Sequence, residues 1–512
     1  MEGFIKNEDI SNHLIGIKSN PFVYCTAKPQ DRERLEQEGW EFVPSKRITK
    51  SIRMKRQKSH FDVFEDRIWA LFAKMKFALI NVDNQCQLQY ANGLTKRIDV
   101  CAIDTEASII VECKSAGVRK KESYQKDINE LIGIKDGLRQ AVHNLFPEKP
   151  KVAFVFAVNN IIISDNDRAR LREGNIFLFN EADIEYWEQL TAHLGQAAKY
   201  QLFGKLFAGQ DIPNLTYRVP AVKGKMASGQ VFYSFNVDPY DLLKMGFILH
   251  RTESSVDSSE AYQRLINRKR ITDIGKYIDD GGYFPNSLIV NIETKNSNLQ
   301  FDLAGNIAHD SETAIGILHL PQTYRSLFII DGQHRLYGYS KAKSKSHHTV
   351  PVVAFHNLPQ EDQASIFVDI NHKQKSVPTN LLRSIMADFN WGSDDAGLAI
   401  SALKTRMMSR LNYDDSSPLY ERVILAEEKN TEKRCLTLET VLKWGVPTKT
   451  GYFGKIKNKK LIKSGFLTDT SYEATLDKSL LFFKRCFSHV EDELKEQWDL
   501  GSAEGGFIAM NN

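Results

Sequence analysis

The chain has 512 residues, 42% of them hydrophobic and 26% charged, with a formal net charge of +4. That length exceeds a single core and that balance is ordinary for a soluble globular protein, so two or more domains are expected, and the net charge is too small to establish a nucleic-acid partner by itself. No apolar run approaches the ~20 residues of a membrane helix, an acid and polar groups interrupt the N-terminal "MEGFIKNEDI" as no signal peptide allows, and the six cysteines lack zinc-ligand spacing, most of them reading as buried thiols that fit a reducing cytosol.

In chain order, residues 1–60 form an N-terminal extension that ends in "SKRITKSIRMKRQKSH" (45–60), where Lys46, Arg47, Lys50, Arg53, Lys55, Arg56 and Lys58 stand without an acid among them. Helical apolar spacing runs over 61–80 through Phe64, Ile68, Leu71, Phe72 and Met75. "QCQLQYA" and "KRIDVCAID" read as strands, and a turn at "DTEA" returns into the strand "SIIVECK". A helix over 121–146 stops before Pro147, strands follow at 151–163 and 176–180, and the helix "EADIEYWEQLTAHL" closes a first domain, 61–195. A linker, 196–215, leads to a second domain, 216–400. Its strands include "VFYSFNV", "SLIVNIE", "RSLFIID" and "TVPVVAFHNL". Its helices include "DPYDLLKMGFIL", opened by Asp238 and Pro239, the stretch 261–282, and "QEDQASIFVDIN". The remainder, 401–512, reads as mainly helical and carries a second basic run, "KTGYFGKIKNKKLIK" (449–463), in which lysines interleave with Tyr452 and Phe453.

Two stretches carry chemistry. In "RIDV" and "VECKS" an acid, Asp99, sits on one strand, and Glu112 and Lys114 sit on the next. Residues two apart on a strand share a face, so Glu112 and Lys114 project together and Cys113 points the other way. Paired carboxylates are hard oxygen ligands suited to Mg²⁺ or Mn²⁺, and a lysine beside them can polarise a water or stabilise charge building on phosphorus. Glu65, early in the preceding helix, adds a further carboxylate. An edge-strand salt bridge between Glu112 and Lys114 is the competing reading, and the apolar Ile109, Ile110 and Val111 argue instead for a central strand. The second stretch is "LFIIDGQHRLYGYS" (327–340), an apolar strand that delivers Asp331, Gly332, Gln333, His334 and Arg335 into a helix start. Backbone N–H groups there and a bidentate arginine suit a phosphate. The competing reading is a helix cap, with Asp331 as N-cap and Arg335 in a surface salt bridge. The basic runs, chiefly Arg53, Lys55, Arg56, Lys58, Lys455 and Lys457, suit contact with DNA phosphates.

Asp99, the Glu112-Cys113-Lys114 triplet and Glu65 resemble the motif of the PD-(D/E)XK nuclease superfamily, although no proline precedes the aspartate. Tyr124 and Gln125 resemble the accessory aromatic and amide of members that cleave modified DNA. The resemblance covers about 60–195. "DGQHR" resembles the name-giving motif of the DGQHR-domain family, which includes DndB-like proteins and is distantly similar to the ParB/sulfiredoxin fold. "YQR" at 262–264, "FPNSLIVNI" at 284–292 and "FVDINHKQKSVP" at 367–378 stand in the matching order over about 216–400. The resemblances imply an α/β multidomain chain: a restriction-endonuclease-like mixed sheet with flanking helices, a ParB/sulfiredoxin-like α+β domain, and a mainly helical C-terminal part. They also imply that Gln263, Arg264, Asn371, Lys373, Gln374 and Lys375 join the polyanion site of the second stretch. A continuation beyond "GGFIAMNN" is expected, because such proteins usually extend further.

The function that follows is a cytoplasmic, metal-dependent DNA endonuclease in prokaryotic defence or DNA modification. Its second domain binds a nucleoside triphosphate or senses a DNA feature. Partners are DNA, other proteins of such an operon and a second copy of the chain. Two alternatives remain open: a non-catalytic DndB-like regulator that binds DNA, and a nucleotide hydrolase using the second motif.

Overall fold

The computed structural model describes residues 3–506 apart from 45–49, 83–85, 214, 216, 249–267, 295–297, 305–312, 344–347, 373–386, 388–390, 392–394, 426–429, 447–450 and 459. The chain opens with β1 (Phe4–Lys6), α1 (Asn12–Lys18), β2 (Phe22–Ala27), α2 (Arg32–Gln37), β3 (Glu41–Val43) and β4 (Ile52–Gln57). The last three strands form a small antiparallel sheet with β4 in the middle. Alternation along β4 buries Met54 and turns Arg53 and Lys55 to the opposite face.

Helix α3 (His60–Lys74) begins where the Ser59 hydroxyl accepts the Asp62 N–H, a side-chain N-cap. It ends at Lys74 rather than at 80: Lys76 takes a left-handed φ of 58°, and the chain becomes the strand β5 (Leu79–Asn81). The expected strand at 85–91 does not join the main sheet. It is β6 (Gln87–Ala91), which pairs with β7 (Leu94–Arg97) as a separate hairpin through Asn92-Gly93, a dipeptide that suits a tight turn. Then come β8 (Val100–Ile103), β9 (Ala107–Lys121), α4 (Gln125–Leu145), β10 (Lys151–Ile162), α5 (Asp165–Glu173), β11 (Ile176–Phe179) and α6 (Glu181–Leu194). The six-stranded sheet runs β1-β5-β8-β9-β10-β11. β9 is antiparallel to β8 and parallel to β10, so it is a central strand and not an edge. A parallel pair needs a long crossover, and α4 provides it.

The segment expected as a linker, 196–215, contains α7 (Ala198–Leu206) with Ala198, Leu202, Phe203 and Leu206 buried. Beyond it lie β12 (Arg218–Lys225), β13 (Val231–Val237), α8 (Pro239–Met245), β14 (Gly246–Phe247), α9 (Arg268–Asp279), β15 (Leu288–Ile292), β16 (Phe301–Leu303), β17 (Ala314–His319), β18 (Leu327–Asp331), α10 (Gln333–Tyr339), β19 (Val350–His356) and α11 (Gln360–His372). Their eight-stranded mixed sheet has the order β14-β18-β15-β19-β13-β12-β17-β16. The C-terminal part packs the helices Ala396–Tyr413 and Tyr472–Glu493 around a core of their own. It also holds strand pairs that the helical expectation did not include: β20 (Val423–Ile424) with β21 (Leu436–Thr437), and β22 (Lys455–Lys457) with β23 (Lys460–Lys463). Among the described residues no helix is long and apolar enough to cross a membrane.

One hydrophobic cluster runs from the six-stranded sheet through α6 and α7 into the eight-stranded sheet. Phe203 of α7 is its hinge point: its ring meets Phe77 edge-on at 5.7 Å and Tyr324 at 6.1 Å, one from each side. Charged contacts reinforce it, with Lys199 2.5 Å from Asp104 and Lys244 2.8 Å from Glu106. A buried Phe→Ala change costs ~3–5 kcal/mol, and here that loss falls on a core shared by both sheets. Phe203→Ala is therefore expected to lower the stability of both sheets together, seen in urea unfolding as one transition moved to lower denaturant. Two separated transitions in the wild type, with only one moved by the substitution, would show that the sheets unfold independently.

Candidate active site

The register places Val100 opposite Val111, so Asp99, expected on a strand but standing in the bend just before β8, lies next to Glu112 of β9. The Cys113 N–H donates to Asp99 Oδ2 at 2.7 Å and fixes that carboxylate across the strand pair. Lys114 Nζ lies 3.0 Å from Glu112 Oε1, on the shared face that alternation requires. Glu65 reaches the group from α3, and Arg97 Nη2 stands 3.3 Å from both Glu65 Oε1 and Asp99 Oδ1. The structure thus brings together the four residues singled out for chemistry, Glu65, Asp99, Glu112 and Lys114, at the middle of the sheet.

The electrostatics are those of crowded negative charge. Burial, and then the neighbouring Glu65 carboxylate, push the Asp99 carboxyl above its ordinary range, although the Cys113 N–H and Arg97 oppose the shift. Burial and the nearby Asp99 raise Glu112 likewise, against the pull of Lys114 and Lys96. Burial opposes the charged form of Lys114, but Glu112 and Asp127 outweigh it and hold the ammonium above its usual value. Lys114 is therefore a fixed positive charge at neutral pH, suited to stabilising an anion and unsuited to taking a proton.

Several contributors were not anticipated. Asn81, fully buried on β5, donates to the Asp99 carbonyl at 3.1 Å and accepts the Cys101 N–H at 2.9 Å, which pins the backbone on both sides of Val100. Asp127, in the first turn of α4, holds Lys114 at 2.6 Å, and Lys96 lies 3.9 Å from Glu112. Arg97 was legible in principle, because it precedes Asp99 by two and shares its side of the chain. Tyr124 turns elsewhere: its hydroxyl donates to Glu122 and its ring meets Phe156. Gln125 is exposed at the start of α4.

A cleft of about 190 Å³ opens beside these carboxylates, lined by Asp99, Glu65, Asp62, Asp66, Lys18 and Lys58 among others. Lys58 is not available to DNA as expected. It is largely buried and bound to Asp66 at 2.8 Å and to the Ile17 and Lys18 carbonyls. Arg53, Lys55 and Arg56 remain on β4, where each lies over an aromatic ring: Tyr24, Phe22 and Trp40 respectively. Lys455 and Lys457 are exposed on β22, whereas Tyr452 and Phe453 pack into the C-terminal core rather than between the lysines.

In the second motif, Asp331 is the last residue of β18, and the N-cap of α10 is Gly332, not Asp331. Gly332 has a φ of 93°, a conformation that favours glycine, and a Cβ there would also press on the Leu288 side chain. Arg335 donates to Asp331 Oδ2 at 2.8 Å and to the Asn286 carbonyl at 2.5 Å. Two of the pieces that stand in matching order therefore meet, "FPNS" and "DGQHR", but the guanidinium is engaged between them. Gln333 is buried and His334 half-buried. Gln263, Arg264, Lys373, Gln374 and Lys375 lie outside the described residues, and Asn371 falls in α11.

Among the described residues no group of three or more His, Cys, Asp or Glu side chains is arranged to hold a metal ion. The pair Asp99 and Glu112 nonetheless has the chemistry for Mg²⁺, which takes one or two carboxylates and keeps several waters. Residues 219–417 match the family described as "DndB: DNA-sulfur modification-associated". No curated protein and no solved structure matches the chain. By that match, a 199-residue segment that includes the whole second motif is similar to DNA-sulfur modification-associated proteins.

Two outcomes follow from this geometry. Asp99 and Glu112 keep protons in the folded chain at pH values where the unfolded chain has released them. Stability is therefore lost as pH rises from the ordinary carboxyl range, about 4, through the raised folded values, and at neutral pH the charged pair is a cost. Glu112→Gln is expected to raise the melting temperature at pH 7, with a gain that shrinks towards pH 4, and an equal or lower melting temperature at pH 7 would contradict the raised carboxyl. Arg335→Ala leaves Asp331 without its partner at a half-buried strand end. A loss of about 1–3 kcal/mol is expected by denaturant unfolding, and a change below 0.5 kcal/mol would show that the arginine is not structural.

Proposed function

We propose that the chain is a metal-dependent DNA endonuclease associated with DNA-sulfur modification, with its chemistry on Asp99, Glu112 and Lys114. The observation that carries this reading is the buried carboxylate pair with a fixed ammonium on a central strand, a costly arrangement that structure alone does not require. The element order around it supports the reading: a helix bearing Glu65, three antiparallel strands, a crossover helix and a parallel strand. Such clusters of mutually raised carboxyls are found where a cation or a reacting group is received.

Mg²⁺, held by Asp99 and Glu112, would supply Lewis acidity and a more acidic bound water. The chain's own residues do the rest. The Cys113 N–H and Asn81 hold Asp99 in place. Asp127 and Glu112 orient the Lys114 ammonium, which offsets charge on a phosphoryl oxygen. Arg97, bridging Glu65 and Asp99, partly balances the acids, a role that a bound cation would take over, leaving the guanidinium for a phosphate. Arg53, Lys55 and Arg56 offer phosphate contacts, and the matched segment senses a feature of the DNA.

A second reading has its own support. Arg97 already pairs with both Glu65 and Asp99 and so occupies the ground a cation would take. That suits a non-catalytic DNA-binding regulator of a modification system. A nucleotide hydrolase at Asp331–Arg335 is less favoured, because Arg335 is engaged by Asp331 and Asn286.

Cleavage assays on unmodified, phosphorothioated and methylated DNA with Mg²⁺ or Mn²⁺ separate the readings. Metal-dependent cutting of at least one substrate is expected, with Glu112→Gln and Asp99→Asn slower by 10²-fold or more, on the order of an electrostatic group's worth. Lys114→Ala should lose cutting while keeping most DNA binding. Binding without cutting on every substrate would establish the regulator instead.

A further inference from the structure

We propose that the β22–β23 ribbon is a duplex-DNA grip built for the phosphate backbone; this rests on the reading that the chain acts on DNA, but not on its being a nuclease. The register pairs Lys455 with Lys463 and Lys457 with Lys460, and Ile456 with Leu461, with an irregularity between the first two pairs. Ile462 is the extra residue that the irregularity absorbs, so Lys463 returns to the side of Lys460. All four lysines consequently share one face. Ile456, on the other face, packs against the C-terminal core. The lysine face is turned outward, and all four side chains are exposed.

Like charges directly opposite one another weaken a two-stranded ribbon. Here there are two such pairs in succession, and among the described residues none of the four lysines has an acidic partner. An isolated two-stranded hairpin is marginal in water even without this burden. The ribbon is instead held from its base. Gly454 has a φ of 96°, and a Cβ on it would lie 2.1 Å from the Lys463 carbonyl. Gly465 approaches the Gly454 and Tyr452 backbones with no room for a side chain. The Leu467 N–H donates to the Tyr452 carbonyl at 2.9 Å, and the Tyr452 ring meets Phe482 and Phe483 of the helix Tyr472–Glu493. A rigid mount that presents uncompensated charge is a surface whose counter-charge comes from outside.

Geometry selects the occupant. Lysines two apart on a strand are about 6.6–6.8 Å apart, a length on the scale of the phosphate spacing along a DNA strand, so one edge of the ribbon can meet more than one phosphate. A two-stranded ribbon also has the width that the major groove admits. The contacts are to phosphate, so the grip is blind to base sequence.

The test is binding of a fluorescent unmodified duplex to the full chain in EDTA, followed by anisotropy over a salt series. The four-lysine variant Lys455→Gln, Lys457→Gln, Lys460→Gln, Lys463→Gln is compared with the wild type and with Lys457→Gln, Lys460→Gln alone. Each phosphate contact contributes about 0.9 to the log–log salt slope. The slope should fall by up to about 3.6 in the full variant and by up to about 1.8 in the pair, with at least tenfold weaker binding at 100 mM salt. Relief of repulsion should leave the melting temperature of either variant equal or higher. Folded variants with the wild-type slope would overturn the ribbon even if the wild type cuts DNA. Ribbon-dependent binding with no cutting under any metal would leave the ribbon standing and overturn the nuclease.

Discussion

The candidate site and the six-stranded sheet around it depend on one strand that carries buried charge. β9 is fifteen residues long and lies between an antiparallel and a parallel neighbour. Its first half is apolar and buried, and its middle holds Glu112 and Lys114. Placing a carboxylate pair there costs desolvation, and the neighbouring cations Arg97, Lys96 and Lys114 only partly offset that cost. The strand can bear it because it is anchored along its length. The Cys113 N–H ties it to Asp99, and eleven of its residues register with β10.

Both ends of β9 are also held by later parts of the chain. Just before it, Glu106 binds Lys244 and lies 3.4 Å from the Tyr324 hydroxyl, while Asp104 binds Lys199. Near its far end, Arg119 donates to the Asp415 carbonyl and lies 4.4 Å over the Tyr420 ring. Arg168, from α5, pairs with the Asp415 carboxylate at 2.6 Å. The segment similar to DNA-sulfur modification-associated proteins reaches residue 417, so it touches the charged strand at both ends. The contact is through packed side chains and ion pairs, not through a flexible tether.

The sequence made some of this plain. Ile109, Ile110 and Val111 marked a central strand because only a strand buried on both faces tolerates such a run. Period-two alternation put Glu112 and Lys114 together, and it held. What was not legible depended on long-range partners. The apolar spacing of 61–80 continued past the helix end because Phe77 and Ile80 are buried in the core shared with the sheet and α7, with Phe77 meeting Phe72 of α3 at 5.5 Å and Phe203 of α7 at 5.7 Å. The stretch 196–215 lacked the length of a domain and read as a linker, yet its apolar face is the seam of the shared core. Lys58 stood in a run of cations, and nothing local distinguished it from Arg53 or Lys55. Its partner, Asp66, faces it from α3. Arg335 looked like a free phosphate ligand for the same reason, since Asn286 is 49 positions away.

The central claim is that Asp99 and Glu112 are a cation-receiving pair and not a relic of folding. A ligand that binds only the folded chain raises its melting temperature in proportion to RT ln(1 + [L]/Kd). Melting the wild type and Glu112→Gln in EDTA and across millimolar Mg²⁺ or Mn²⁺ measures this without DNA or turnover. The account predicts a concentration-dependent rise for the wild type and none for Glu112→Gln. A rise of the same size in both, or in neither, would contradict it.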